Sequence, residues 1–218
     1  MQAKYQGMAI EWAMSTRVCI LDYGSGNIRS VANMLEQQNG SVKVSNLPND
    51  IRDATHLVLP GVGAFGAAMA KIRAHIPLDI LTREVQEKGK QFLGICVGMQ
   101  VLASCGYEFG KNQGLGWLQG EVRKLETGDL PLPHVGWNDI DVKRPGGLFA
   151  SFRSKPDFYF LHSYYFAMAD QADVVAECTY GITFPCALSH RNIHAVQFHP
   201  EKSQRAGREL ISTFLSSL

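Results

Sequence analysis

The chain has 218 residues, 45% hydrophobic and 19% charged, enough to bury one substantial core and too few for two catalytic domains. Its formal net charge is +1, with no block of Lys or Arg, which excludes a general nucleic-acid binder, since that function needs clustered positive charge. Five cysteines, Cys19, Cys96, Cys105, Cys178 and Cys186, form no CxxC pair and are odd in number, so a disulfide framework and a zinc site are both disfavoured and a reducing, cytoplasmic setting is expected.

Residues 1–15, MQAKYQGMAIEWAMS, contain only a short apolar patch cut by Glu11 and lack the apolar core of a secretory signal. They read as an N-terminal extension to a single domain over 16–218. RVCILD (17–22) is a short apolar run leading into the tight YGSGN loop, and IRSVANMLEQQ then carries apolar residues at helical spacing up to Gly40. The same strand, loop and helix grammar recurs in SVKVS, in THLVLP followed by GVGAFG and the helix AAMAKIRAHI, in the helix LDILTREVQEKG, and in QFLGI followed by the helix VGMQVLAS. Alternating strands and helices predict right-handed crossovers and an α/β fold with a largely parallel sheet. The tract HLVLPGVGAFGAAMA is broken by Pro60 and three glycines, so it is no membrane span of about 20 apolar residues.

Past Gly110 the pattern changes. WLQGEVRKL, DFYFLHSYYFAM, DVVAECTY, PCALSH and IHAVQFH all have strand-like alternation or β-branched and aromatic enrichment, predicting a partly antiparallel second half. SQRAGRELISTFLSSL closes the chain as an amphipathic helix.

The segment GICVG places Cys96 between Gly94 and Gly98 at the turn from a parallel strand into a helix, the edge at which open α/β sheets bind ligands. The same spacing around serine makes a nucleophile elbow, in which the next backbone N–H, here that of Val97, faces a developing oxyanion. A helix N-terminus and a nearby imidazolium would both favour the thiolate. The other reading of Cys96 is a small core residue, as most free cysteines are. Of seven histidines, His199 stands at the end of the strand IHAVQF, followed by Pro200 and then Glu201, a carboxylate placed to orient its ring.

G-V-G-A-F-G (61–66) is a literal G-x-G-x-x-G, with Glu84 eighteen residues beyond it, which invites a dinucleotide-binding oxidoreductase reading. Against it, Pro60 interrupts the strand exit and the unit is not the first βα of the chain. PGVG can serve instead as a backbone that presents N–H groups opposite Cys96.

PGVGAFG, GICVGMQ and QFHPEKS together resemble the class I (triad) glutamine amidotransferases, and LDYGSGN, GLGW, PHVGWN and LHSYYF extend the likeness over residues 16–218. The resemblance implies a sandwich with a mixed, mostly parallel central sheet, and a triad of Cys96 as nucleophile, His199 as general acid/base and Glu201 as its orienter. It implies an oxyanion hole from Val97 and the Val62–Gly63 peptide. Glutamine would be held by the backbone of Gly61, by Gln100, by Glu108 on the α-amino group, and by Ser163 and Tyr164 on the α-carboxylate. No cofactor or metal is implied. The partner implied is a (β/α)₈ cyclase that takes the ammonia for histidine biosynthesis, docked near Trp137, Asn138 and Lys202. A paralogous amidotransferase feeding another synthase, such as one modifying a surface-polysaccharide sugar, would share the triad. SCGYEFG (104–110) departs from the family's acid-rich run, which bears on Glu108.

Overall fold

The computed structural model describes residues 16–38 and 41–217. The proposed N-terminal extension, residues 1–15, and the expected helix stop at Gly40 lie outside the described residues.

In the first half the apolar runs become parallel strands because their side chains are buried on both faces of the sheet. β1 (Arg17–Leu21), β2 (Ser41–Ser45), β3 (His56–Gly61) and β4 (Gln91–Cys96) alternate with α1 (Ile28–Glu36), α2 (Pro48–Asp53), α3 (Phe65–His75) and α4 (Leu78–Thr82). Every residue of β3 is buried, as is every residue of β4 after Gln91, so neither strand shows the polar alternation of a half-exposed strand. The helix expected over LDILTREVQEKG is α-helical only through Thr82 and continues as a wider turn over Arg83–Glu87. That turn buries Glu84, whose carboxylate oxygens take Lys88 Nζ at 2.6 Å and Lys90 Nζ at 3.1 Å. The acid that the dinucleotide reading needed for a ribose is therefore consumed by two lysines.

After Cys96 the chain turns into α5 (Val97–Gln100), a single turn where the sequence suggested eight helical residues. The chain then tightens, Leu102 and Ala103 donating to the carbonyls of Met99 and Gln100 three residues back, and turns off into the two-residue strand β5 (Cys105–Gly106). β5 pairs with β6 (Asn112–Gln113) and with β7 (Gly120–Lys124).

The second half is strand-rich, as its alternation predicted. β8 (His134–Asp139) and β10 (Asp157–His162) form an antiparallel ribbon that pairs Trp137 with Tyr159 and Val135 with Leu161. β9 (Asp141–Val142), β12 (Val174–Tyr180), β13 (Ile182–His190) and β14 (Ile193–Val196) complete the main sheet, while β11 (Tyr164–Met168) pairs with β7. The main sheet runs β2-β1-β3-β4-β14-β13-β12-β9, its first five strands parallel and the remainder antiparallel. α6 (Gln204–Leu215) buries Leu210, Ile211, Phe214 and Leu215, the apolar face read from the C-terminal segment. The central strands β3, β4 and β14 end side by side at one sheet edge, bringing Gly61, Cys96 and the segment after Val196 together.

Candidate active site

Cys96 has φ 55° and ψ −110°, a left-handed conformation that costs a residue with a Cβ about 1–3 kcal/mol and persists only where packing enforces it. Here the enforcement comes from two glycines. A Cβ on Gly98 would sit on the carbonyl oxygen of Leu59, and one on Gly94 would lie 2.5 Å from the carbonyl oxygen of Gly98. The strand, the turn and the short helix thus press together with no room for side chains, and the strained residue between them is aimed out of the strand. Its thiol is 4% exposed and opens into a cavity of about 360 Å³. The expected help from a helix N-terminus is small, because α5 has one turn of aligned peptides rather than several.

β14 delivers His199 from the neighbouring strand. The His199 ring faces the same cavity as the Cys96 thiol, and its Nδ1 lies 2.8 Å from Glu201 Oε1, with both side chains of that second pair withdrawn from solvent. Burial works against the imidazolium, but the neighbouring Cys96 sulfur and the Glu201 carboxylate outweigh it, so the ring's pKa is pushed up to about 10. Pro200 opens a short 3₁₀ turn that brings Glu201 back beside the ring two residues after it. Asn27, from the YGSGN loop, reaches the same Glu201 oxygen at 3.5 Å.

The cavity is lined by Val62, Gly63, Cys96, Val97, Gln100, Glu108, Ser163, Tyr164 and His199, so every residue expected at the substrate or oxyanion faces it except Gly61. Gly61 lies beside Cys96 in the β3–β4 register. Gly63 has φ +87°, which lets the PGVG strand turn at the cavity mouth, and the carbonyl oxygen of Val62 accepts from Ser25 Oγ at 3.4 Å. Glu108 is held in place by the Phe65 amide, which donates to its Oε2 at 2.8 Å. Gln100 is buried rather than on a helix surface; its Nε2 donates to the Tyr164 carbonyl at 2.8 Å and to Gln197 Oε1 at 3.0 Å.

Trp137, Asn138 and Lys202 lie outside the cavity. Trp137 is 45% exposed on β8 and meets the Tyr159 ring edge-on at 6.2 Å, and Lys202 Nζ sits over the same ring, 5.4 Å from its centroid. Val135 and Leu161, a cross-strand pair, are exposed beside them. Leu161 also lines the cavity, so this apolar ribbon face is continuous with the site.

Several contributors carried no assigned role in the sequence reading. Gln197, the first residue of QFHPE, donates from Nε2 to Cys96 Sγ at 3.7 Å. A buried amide directly after the strand IHAV, two residues before His199, was the signal that could have found it. Phe109, 89% exposed at φ 53°, stands over the cavity, and nothing in its local sequence marks that placement.

A cysteine, a histidine and a carboxylate gathered at a sheet edge beside one cavity are the groups that hydrolases and transferases with a cysteine nucleophile employ. Comparison with known proteins is specific. The family model "Glutamine amidotransferase class-I" matches residues 19–218. A protein of Moorella thermoacetica, "Imidazole glycerol phosphate synthase subunit HisH", is 42% identical over 197 residues, covering 90% of this chain and 93% of its own. "Imidazole glycerol phosphate synthase subunit HisH 2" of Nitrobacter winogradskyi is 43% identical, covering 91% and 97%. Among solved structures, "Structure of PurLQS from Thermotoga maritima" matches with TM-score 0.74 at 19% identity, over 93% of this chain and 98% of that one, a likeness of fold. The chain belongs to the class-I glutamine amidotransferase family.

Proposed function

We propose that this chain is the glutaminase subunit of imidazole glycerol phosphate synthase, hydrolysing glutamine to glutamate and ammonia for a separate cyclase subunit of the (β/α)₈ type in histidine biosynthesis. The observation that carries the chemistry is the 2.8 Å bond from His199 to Glu201 beside a cavity that the Cys96 thiol and the His199 ring both face. The names of relatives sharing about two residues in five support the particular synthase.

Glutamine enters with its carboxamide toward Cys96 and its α-carbon groups between Glu108 and the Ser163–Tyr164 backbone. The raised His199 keeps an imidazolium beside the sulfur, which favours the thiolate. Attack of the sulfur on the carboxamide carbon forms a carbon–sulfur bond and pushes an electron pair onto the oxygen, where the N–H groups of Val97 and Gly63 receive it. His199 then gives its proton to the amide nitrogen, the carbon–nitrogen bond breaks, and ammonia leaves a γ-glutamyl thioester. Neutral His199 removes a proton from water, which attacks the thioester and releases glutamate, returning the thiolate–imidazolium pair. Glu201 holds the ring's Nδ1–H throughout and offsets its charge. Ammonia released into water at neutral pH would be protonated and lose its nucleophilicity, so we assign the apolar ribbon face of Val135, Trp137 and Leu161, with Asn138 and Lys202 beside it, to the cyclase. Unpaired buried thiols favour a cytoplasmic setting, and residues 1–15 are assigned as an extension outside the domain.

The second reading is a paralogous amidotransferase subunit that serves another synthase, since the triad residues see only glutamine and would be the same in both. The test is ammonia release from glutamine by wild type and Cys96→Ser, each alone and with a histidine-pathway cyclase. Stimulation of the wild type and silence of the variant are expected. A Cys96-dependent glutaminase that ignores the cyclase would favour the second reading, and activity in Cys96→Ser would overturn both.

A further inference from the structure

Two buried histidines outside the triad, His134 and His162, lie between the ribbon face and the substrate cavity. His162 Nδ1 is 2.9 Å from the Tyr164 carbonyl oxygen, and its Nε2 is 3.0 Å from His134 Nδ1. His134 Nε2 is 3.3 Å from the amide nitrogen of Asn138, whose second hydrogen goes to the Thr179 carbonyl at 3.1 Å. Burial pushes His162 down to about 3 and His134 to about 4, so both rings are neutral at neutral pH.

For neutral rings the geometry permits one arrangement of protons. A carbonyl oxygen only accepts, so His162 carries its hydrogen on Nδ1 and its Nε2 is a bare acceptor. His134 must then carry its hydrogen on Nδ1, and its Nε2 accepts from the Asn138 amide, which has a hydrogen to give. The line runs one way, from Asn138 through both rings to the Tyr164 carbonyl. That same oxygen accepts from Gln100, whose amide continues through Gln197 to the Cys96 sulfur. The His134 ring is clamped in plane between Tyr180, at 4.0 Å, and Phe160, at 4.7 Å between centroids, so the line has little freedom to rotate.

We propose that His162, held by His134, is a positioning residue that fixes the tautomer-specific hydrogen bond to Tyr164 and thereby sets the backbone on which the glutamine α-carboxylate is bound. Ser163 is already fixed from the other side, because its carbonyl oxygen accepts from the Leu125 amide at 2.9 Å. With the Tyr164 carbonyl also held, the peptide between Ser163 and Tyr164 is fixed on both sides beside the cavity that the two residues line. Loss of His162 leaves the Tyr164 carbonyl to Gln100 alone, loosens that peptide and lowers affinity for glutamine in ground and transition state alike, so KM rises while kcat stays nearly constant. This rests on the glutamine reading above.

The test has two arms. Nitrogen-15 NMR of the full chain labelled at histidine should place a hydrogen on Nδ1, with Nε2 bare, in both His134 and His162 at neutral pH; an Nε2–H form of either ring would overturn the line. Calorimetric titration of Cys96→Ser with glutamine gives the second arm. His162→Phe in that background should weaken binding about tenfold, equivalent to the loss of a hydrogen bond of ~1.4 kcal/mol. His162→Asn, whose amide nitrogen stands near the Nδ1 position, should recover affinity to within threefold. Unchanged affinity in His162→Phe would overturn the positioning role with the glutamine site intact, whereas no glutamine binding by the Cys96→Ser parent would remove the glutamine reading and the proposal together. Should His162→Phe not fold, His134→Phe, which leaves His162 its bond to Tyr164 but loosens its ring, should weaken binding in the same direction, and unchanged affinity there would count against the proposal.

Discussion

Glu201 Oε1 lies 2.8 Å from His199 Nδ1, with neither side chain more than 3% exposed, so the two form a hydrogen bond that water does not screen. A buried carboxylate at this distance fixes which ring nitrogen carries its hydrogen and keeps the imidazolium charged. Replacing it by an uncharged isostere, Glu201→Gln, keeps the shape and removes the charge. The expected result is a kcat for glutamine hydrolysis lowered by ~100-fold or more, with KM little changed. Steady-state kinetics of the assembled complex checks this, and a kcat within threefold of wild type would deny Glu201 its orienting role.

Backbone strain at Cys96 makes an unusual stability prediction. Alanine is ordinarily favoured over glycine, but at φ 55° a residue without Cβ is relieved of strain. Cys96→Gly is therefore expected to be more stable than Cys96→Ala by ~1 kcal/mol in denaturant unfolding, both being inactive. The opposite ranking would mean that the turn is not strained.

The glycine at the elbow's far side has no such tolerance. In Gly98→Ala the added methyl meets the Leu59 carbonyl on the adjacent strand. Backbone on both sides must move, at a cost of about 1–3 kcal/mol as for other overpacked cores. Because β3 leads into the PGVG segment, thiol reactivity should fall as well, which can be followed by unfolding and by the rate of Cys96 alkylation.

Four buried histidines set the acid limb of stability. Burial lowers His162 to about 3, His134 and His194 to about 4, and His56 below its ordinary value. The unfolded chain takes up these protons near pH 6.5 and the folded chain does not, so stability falls as pH drops below about 6.5, each histidine contributing up to ~1.4 kcal/mol per pH unit. His199 has the opposite sign: its pKa is raised, its stabilisation is complete below about 6.5, and it fades as pH climbs toward about 10. Unfolding free energy measured from pH 4 to 10 should peak near 6.5. A plateau extending down to pH 4.5 would contradict the burial of these rings as neutral groups.

Much of this molecule was legible before its coordinates. The parallel half followed from short apolar runs bounded by glycine and proline, and the elbow from the two glycines around Cys96, because close backbone approach leaves a direct mark on residue type. The length of α5 was not legible: VGMQVLAS has helical propensity throughout, and the helix gives way to the pairing of Cys105 and Gly106 with β6 and β7, which follow later in the chain. Glu84 illustrates a false lead, since spacing from a glycine motif cannot reveal that two lysines already hold the carboxylate. The line from Asn138 through His134 and His162 joins residues brought together by strand pairing across β8 and β10, a relation absent from local pattern.

The central claim, that Cys96 is the nucleophile for glutamine, is tested most directly by covalent labelling with an electrophilic glutamine analogue followed by peptide mass mapping of the assembled complex. Burial raises Cys19 to about 11, Cys178 to about 12 and Cys186 well above its ordinary value, so these thiols are unreactive at neutral pH. The account predicts one adduct per chain, on Cys96, blocked by excess glutamine and absent from Cys96→Ser. An unmodified Cys96, or an adduct that glutamine does not protect, would contradict it.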